Sequence, residues 1–183
     1  MVKKVVRYML RKKFRFFMSQ NKELPFKEGD WTDFATWTSY FDVGGQSGIN
    51  YSKKNRVIVC ITDNPPYEDE WYTNSEWDGV RFTGQGRRGR QEMKGANRTL
   101  KESLQTNTPI HVFRKAIGEN GKVRYLYCGL FILKTPVPRE EYQKDIDGRD
   151  RIVFIFNLAA KNNRICDKVM QNMIDAGMKI KKI

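Results

Sequence analysis

Between Val57 and Leu100 the chain concentrates the residue types that could do chemistry. Two aromatics, Tyr67 and Phe82, bracket the carboxylates Asp69 and Glu70 and the hydroxyl of Thr83. A glycine-punctuated loop follows, Gly84-Gln85-Gly86-Arg87-Arg88-Gly89-Arg90-Gln91, and after it Asn97-Arg98. Aromatic faces stack on an extruded base, acceptors and donors read its hydrogen-bonding edge, and guanidinium groups hold phosphates or enter the gap left in the stack. Together these residues are what a base-flipping protein needs. Each part alone has a blander reading. Phe82–Gly86 fits a turn between strands, and the carboxylates fit a solvated loop.

Catalytic readings of the same stretch fare worse. The run G-Q-G-R-R-G mimics a dinucleotide fingerprint, but Arg-Gln-Glu-Met-Lys-Gly follows, with no extended apolar helix and no parallel strand after it. Asp78 with Glu92-x-Lys94 spells the letters of a metal-dependent nuclease motif, a pattern that chance produces readily. The one histidine, His111, excludes an HNH or multi-histidine metal site. Cys60, Cys128 and Cys166 form no C-x-x-C, which argues against zinc and a disulfide framework and for a reducing compartment. No catalytic residue, metal ligand or cofactor is assigned.

Charge supplies the partner. Lys and Arg number 34 against 21 Asp and Glu, a net +13 over 183 residues, which predicts a polyanion: nucleic acid first, an anionic membrane surface second. A content of 39% hydrophobic and 13% aromatic residues suffices for one core and argues against disorder. Neither an apolar run long enough to span a membrane nor a secretory h-region occurs in the sequence.

The elements that must position these residues follow from pattern. Met1–Gln20 alternates basic and bulky apolar side chains and predicts a helix with a basic outer face. The stretch from Lys27 to Asn55 is turn-rich. Arg56–Thr62 is an apolar, β-branched run typical of a buried strand. Pro109–Lys115 and Lys122–Leu133 flank a Gly-Glu-Asn-Gly turn and read as a hairpin, and Ile152–Leu158 is a further strand after a polar loop over Arg139–Asp150. Asn97–Thr106 reads as a helix capped by Asn97. Ala160–Ala176 reads as a helix with apolar stripes Ile165, Val169, Met173 and Cys166, Met170, Ile174, stopped by Gly177. Trp77 reads as a core aromatic, while Trp71 is open between core and site. The fold class is α+β, with a strongly bent or closed antiparallel sheet and flanking terminal helices.

The order Tyr67-Glu68-Asp69-Glu70, Phe82-Thr83-Gly84-Gln85-Gly86, Gln91, Asn97-Arg98, Leu100, with the strands Thr108–Lys115 and Arg124–Leu130, resembles the core of SRA (SET- and RING-associated) domains, the readers of modified cytosine. The resemblance spans about Val57–Leu158. Gly44-Gly45-Gln46-Ser47-Gly48-Ile49 and the Tyr-x-Asp-x-Trp form of Tyr67–Trp71 are closer to SRA-like readers joined to HNH nucleases in prokaryotic modification-dependent restriction enzymes. The resemblance implies a PUA-like crescent β-barrel over residues 31–158, with a basic helix or arm over 1–30. A C-terminal helix and basic tail over 159–183 would follow, where a linker to a nuclease could begin.

The implied function is to flip a 5-methyl- or 5-hydroxymethylcytosine of duplex DNA into a pocket, as the non-catalytic reader of a restriction system in a prokaryotic cytoplasm. Tyr67 and Phe82 would be its stacking faces, Glu70 or Asp69 would accept from the cytosine amine, and Thr83 would sit beside the ring. Gln85, Arg87, Arg88, Arg90, Asn97 and Arg98 would face the DNA backbone or the vacated stack. No membrane partner is expected; a fused or associated nuclease and a homodimer remain open. The alternatives are a stand-alone nuclease, an RNA-binding PUA-like protein and a phosphorothioate-DNA reader. The chain departs from the eukaryotic pattern in carrying Pro65-Pro66 where that pattern has two glycines, which removes two amide donors. It also has Phe82 where a tyrosine is expected, and a longer Tyr72–Val80 segment.

Overall fold

The computed structural model describes residues 23–118 and 120–183; the helix expected over Met1–Gln20 lies outside the described residues. Ten strands form one sheet: β1 (Trp31–Thr32), β2 (Ile49–Ser52), β3 (Val57–Thr62), β4 (Glu70–Thr73), β5 (Asp78–Thr83), β6 (Ile110–Ile117), β7 (Val123–Leu133), β8 (Arg139–Lys144), β9 (Asp150–Ala160) and β10 (Lys181–Lys182). Among the described residues three helices accompany them: α1 (Phe34–Phe41), α2 (Gly95–Thr106) and α3 (Asp167–Asp175). The sheet order is β10-β4-β5-β9-β7-β6-β3-β2, with β1 on β7 and β8 on β9.

The expected α+β class holds, with one correction. The sheet is mixed rather than wholly antiparallel, because β3 pairs parallel with β6 and β10 parallel with β4. The physical reason is the long excursion through β4, β5 and α2, which returns the chain to the side of β3 in the same direction. No pairing joins β10 to β2 among the described residues, so the sheet is open there.

Apolar clusters on both faces of β3 explain why its sequence runs apolar without alternation. Ile58 and Cys60 enter one cluster with Leu100 of α2 and Val169 and Met173 of α3. Val59 and Ile61 enter the other with Phe26, Trp37, Phe41, Phe113, Tyr125 and Tyr127. The β6–β7 hairpin was legible, and a bulge between Val112 and Phe113 shifts its register. Trp71 is a core residue, edge-on to Phe131, and Trp77 donates from Nε1 to the Tyr72 hydroxyl at 3.1 Å.

Several expected boundaries move. Arg139–Lys144 is a strand rather than a loop, zipped to β9 from Arg139↔Ile155 to Lys144↔Asp150. The turn-rich segment after Lys27 contains α1, whose N-cap Asp33 accepts from the Thr36 amide at 2.7 Å. The C-terminal helix is shorter than its sequence pattern, because β9 continues through Ala160. Its Ile165, Val169, Met173 stripe is buried, whereas Ile174 of the other stripe is exposed. Asn97 does not cap α2. The N-cap is Lys94, without a side-chain bond, and Asn97 turns into the preceding loop.

Candidate nucleic-acid interface

The sheet gathers three pieces of chain at one end: the segment 63–69 between β3 and β4, the loop 84–91 between β5 and α2, and the β8–β9 hairpin. Asp69 closes the first. Its Oδ1 accepts from the Thr83 amide at 2.7 Å and its Oδ2 from the Asp63 amide at 3.2 Å. Burial pushes its carboxyl up to about 7, against the Thr83 bond and with help from the Asp63 charge. Asp63 is itself raised by burial, opposed by Arg114, whose Nε donates to it at 2.7 Å. The result is a fixed carboxylate whose charge is poised near neutrality.

Glu70 takes a different position. It pairs with Arg81 at 3.1 Å and with Lys181, and those partners hold its carboxyl below the usual range despite partial burial. A cleft of about 320 Å³ opens here, lined by Asp69, Glu70, Arg81, Glu141, Gln143 and Lys181 among others. Thr83 lies beside Asp69. Its hydroxyl donates to the Glu68 carbonyl at 3.2 Å and accepts from Gln143 Nε2 at 3.1 Å. Gln143 also receives the Glu68 amide at 3.4 Å, so one buried side chain clamps the segment that carries Tyr67 and Asp69.

The two predicted stacking rings meet at Gly48. A Cβ there would stand 3.9 Å from both Tyr67 Cε2 and Phe82 Cζ. They differ in accessibility: Tyr67 is half-buried, whereas Phe82 is 1% exposed and belongs to the core. The Tyr67 hydroxyl accepts from the Gly86 amide at 3.3 Å, and the Arg151 guanidinium carbon lies 5.7 Å from its ring centroid.

The glycine loop is a built structure. Asn97 holds the Gln85 backbone on both sides, accepting at 2.6 Å and donating at 2.8 Å. Gln91 donates to the Gly84 carbonyl and accepts from the Phe154 amide at 2.9 Å. Gly84 has no room for a side chain: a Cβ would stand 2.8 Å from Gln91 Oε1 and 3.0 Å from Asn97 Oδ1. Arg88 and Arg90 bind Asp147 at 2.8 Å and Glu140 at 3.0 Å. Arg87 and Arg98 are exposed, with no ion pair among the described residues. Sequence reasoning placed Gln85 and Asn97 at the DNA backbone. Here Asn97 is buried and shapes the loop, while Gln85 buries an unpartnered Oε1.

The sequence did not single out Gln143 and Arg151, which the structure also brings to this end of the sheet. They are cross-strand partners, and their strands begin in what reads as polar loop. Asp78, of the nuclease-like letters, binds Arg164 at 3.2 Å and the Ile165 amide at 3.0 Å, while Glu92 pairs with Lys94. No group of three metal-ligating side chains occurs among the described residues.

A family model described as ScoMcrA-like, SRA domain, matches residues 34–177. The chain belongs to this SRA family. No curated protein sequence matches the chain. Solved structures share the fold at low identity. One holds the sulfur-binding and SRA domains of ScoMcrA with phosphorothioated DNA (15% identity, TM-score 0.56, covering 85% of this chain and 47% of that one). Another is ScoMcrA itself, a Type IV phosphorothioation-dependent restriction endonuclease (15% identity, TM-score 0.57, 85% and 31%). A third is the SUVH5 SRA domain with fully methylated CG DNA (23% identity, TM-score 0.51, 75% and 92%). This chain thus spans less than half of either ScoMcrA chain. Among its described residues, no helix of the SRA domain is long and apolar enough to cross a membrane.

Proposed function

We propose that this SRA domain binds duplex DNA carrying a 5-methyl- or 5-hydroxymethylcytosine and takes that base out of the stack, as the reader module of a modification-dependent restriction system. The observation that carries the reading is Asp69, a carboxylate pinned by the Thr83 and Asp63 amides two residues along the chain from the half-buried Tyr67. Tyr67 offers the stacking face, Asp69 accepts from the exocyclic amine that distinguishes cytosine from thymine, and Thr83 lies alongside. Glu70, committed to Arg81 and Lys181, serves the rim. Phe82 would back the pocket from the core. Arg87 and Arg98 would meet phosphates first, and Arg88 and Arg90 would do so after exchanging Asp147 and Glu140 for DNA. Cleavage would belong to a nuclease joined to or associated with the reader.

The ScoMcrA match favours a second reading, recognition of phosphorothioate DNA, although the solved ScoMcrA complex names a sulfur-binding domain separately from its SRA domain. Five otherwise identical duplexes decide between them, bearing cytosine, 5-methylcytosine, 5-hydroxymethylcytosine, methyladenine or a phosphorothioate linkage. Preference for the methyl- or hydroxymethylcytosine duplex supports base reading. Preference for the phosphorothioate duplex with none for either modified cytosine overturns it.

A further inference from the structure

Arg151 is 3% exposed, yet its Nε and Nη2 have no hydrogen-bond partner, while Nη1 donates to the Gly86 carbonyl. Buried guanidinium donors are rarely left unpaired, and each such case calls for an explanation. Nε and Nη2 share one edge of the planar group, with parallel N–H bonds. That edge is the fork used for bidentate recognition of two adjacent acceptors. Its location is specific. The guanidinium carbon lies 5.7 Å from the Tyr67 ring centroid, and Arg151 sits across from Gln143, whose amide holds Thr83 and Glu68.

Several backbone amides around Tyr67 are absent or in use. Pro65 and Pro66 have no amide hydrogen. The Tyr67 amide donates to Asn64, that of Glu68 to Gln143 and that of Thr83 to Asp69. The amide of Gln85 goes to Asn97 and that of Gly86 to the Tyr67 hydroxyl. A flipped cytosine presents an amine donor and then two adjacent acceptors, N3 and O2. Asp69 can take the amine. The acceptors still need donors, and the free fork of Arg151 matches them in number and spacing.

We propose, resting on the base-extrusion reading above, that Arg151 reads the N3 and O2 acceptors of the extruded cytosine and adds to Asp69 a second ground for rejecting thymine and uracil. Those bases carry a hydrogen on N3, which would meet the fork donor to donor. A phosphate is the other ligand such a fork could take. Arg151 lies beneath the surface, its guanidinium over the ring proposed to stack the base and 5.7 Å from its centroid, which favours a base edge as the occupant.

The test uses the full chain, duplexes carrying one 5-methylcytosine, its 3-deaza analogue (C–H in place of N3) or unmodified cytosine, and the variants Arg151→Met and Arg151→Lys. Wild type should bind the 3-deaza duplex about tenfold or more weakly than the 5-methylcytosine duplex, within the range of a lost bidentate base contact. Arg151→Met should bind those two duplexes equally. Arg151→Lys should keep the salt dependence and lose most of the N3 discrimination, and it decides the matter if the methionine variant does not fold. A wild type that prefers 5-methylcytosine over cytosine but ignores the loss of N3 overturns the role of Arg151 alone. Equal weakening of all duplexes by Arg151→Met assigns the fork to phosphate and also overturns it. A wild type with no preference for 5-methylcytosine overturns the base reading and this proposal together.

Discussion

Lowering the pH from 8 to 6 should weaken specific binding to a 5-methylcytosine duplex about tenfold, and Asp69→Asn should abolish that dependence. Burial pushes the Asp69 carboxyl up to about 7. In the free protein it is therefore roughly nine-tenths charged at pH 8 and roughly one-tenth at pH 6, as follows from a single titration. Both carboxyl oxygens already face backbone amides, so an added proton must share an oxygen with an N–H donor and compete with the incoming amine. Only the carboxylate accepts cleanly, and affinity rises with pH through the titration.

Asp63, the charge that acts on Asp69, is bound to Arg114, and His111, pushed down to about 4 by burial, stays neutral throughout. The same shift predicts a stability effect of definite sign. The folded value lies above the ordinary 3.8, so wild type should lose stability relative to Asp69→Asn as pH rises from about 4 to 7, by an amount approaching roughly 4 kcal/mol. Fluorescence anisotropy at fixed ionic strength, with the unmodified duplex as reference, isolates the specific term from sequence-independent attraction to a chain of net charge +13. A flat ratio between the two duplexes, or tighter specific binding at pH 6, would refute the assignment of Asp69 as acceptor.

Tyr67→Ala should weaken binding to the modified duplex about ten- to a hundredfold and leave binding to unmodified DNA nearly unchanged, the range for losing one base–aromatic stack. Gly84→Ala should destabilise the fold by about 1–3 kcal/mol, read as a lower Tm, because the new methyl meets Gln91 and Asn97 in a packed loop. In log affinity against log salt, Arg87→Ala with Arg98→Ala should reduce the slope by up to about 2, while Arg88→Ala with Arg90→Ala should reduce it less, because those side chains start bound to Asp147 and Glu140.

The parts of the fold legible in the sequence are those with a strong apolar pattern. β3, the β6–β7 hairpin and the body of β9 announce themselves through runs such as VIVCIT and IVFIF, because burial on both faces leaves no polar interruption. β8 does not, since Arg-Glu-Glu-Tyr-Gln-Lys lies at an edge and buries only Gln143. The site was half legible. Tyr67, Asp69 and Thr83 lie close in sequence; Thr83 bonds Asp69 directly and, with Gln143, holds the Glu68 backbone next to Tyr67. That Glu70 rather than Asp69 is tied up in ion pairs was not readable, because it depends on which side of a strand's first residue faces Lys181, more than a hundred positions away. Arg151 was invisible for a similar reason: nothing local says that an arginine at the start of an apolar strand is sealed under a loop and beside a tyrosine ring.

Base extrusion is the central claim, and fluorescence of 2-aminopurine placed opposite the modified cytosine tests it most directly, because the probe brightens when its partner leaves the stack. Saturating wild type should raise the emission on the modified duplex well above that on the unmodified one, and Tyr67→Ala should remove most of the difference. Emission that stays quenched while anisotropy reports full binding would contradict extrusion and place the reading of the modification at the duplex surface.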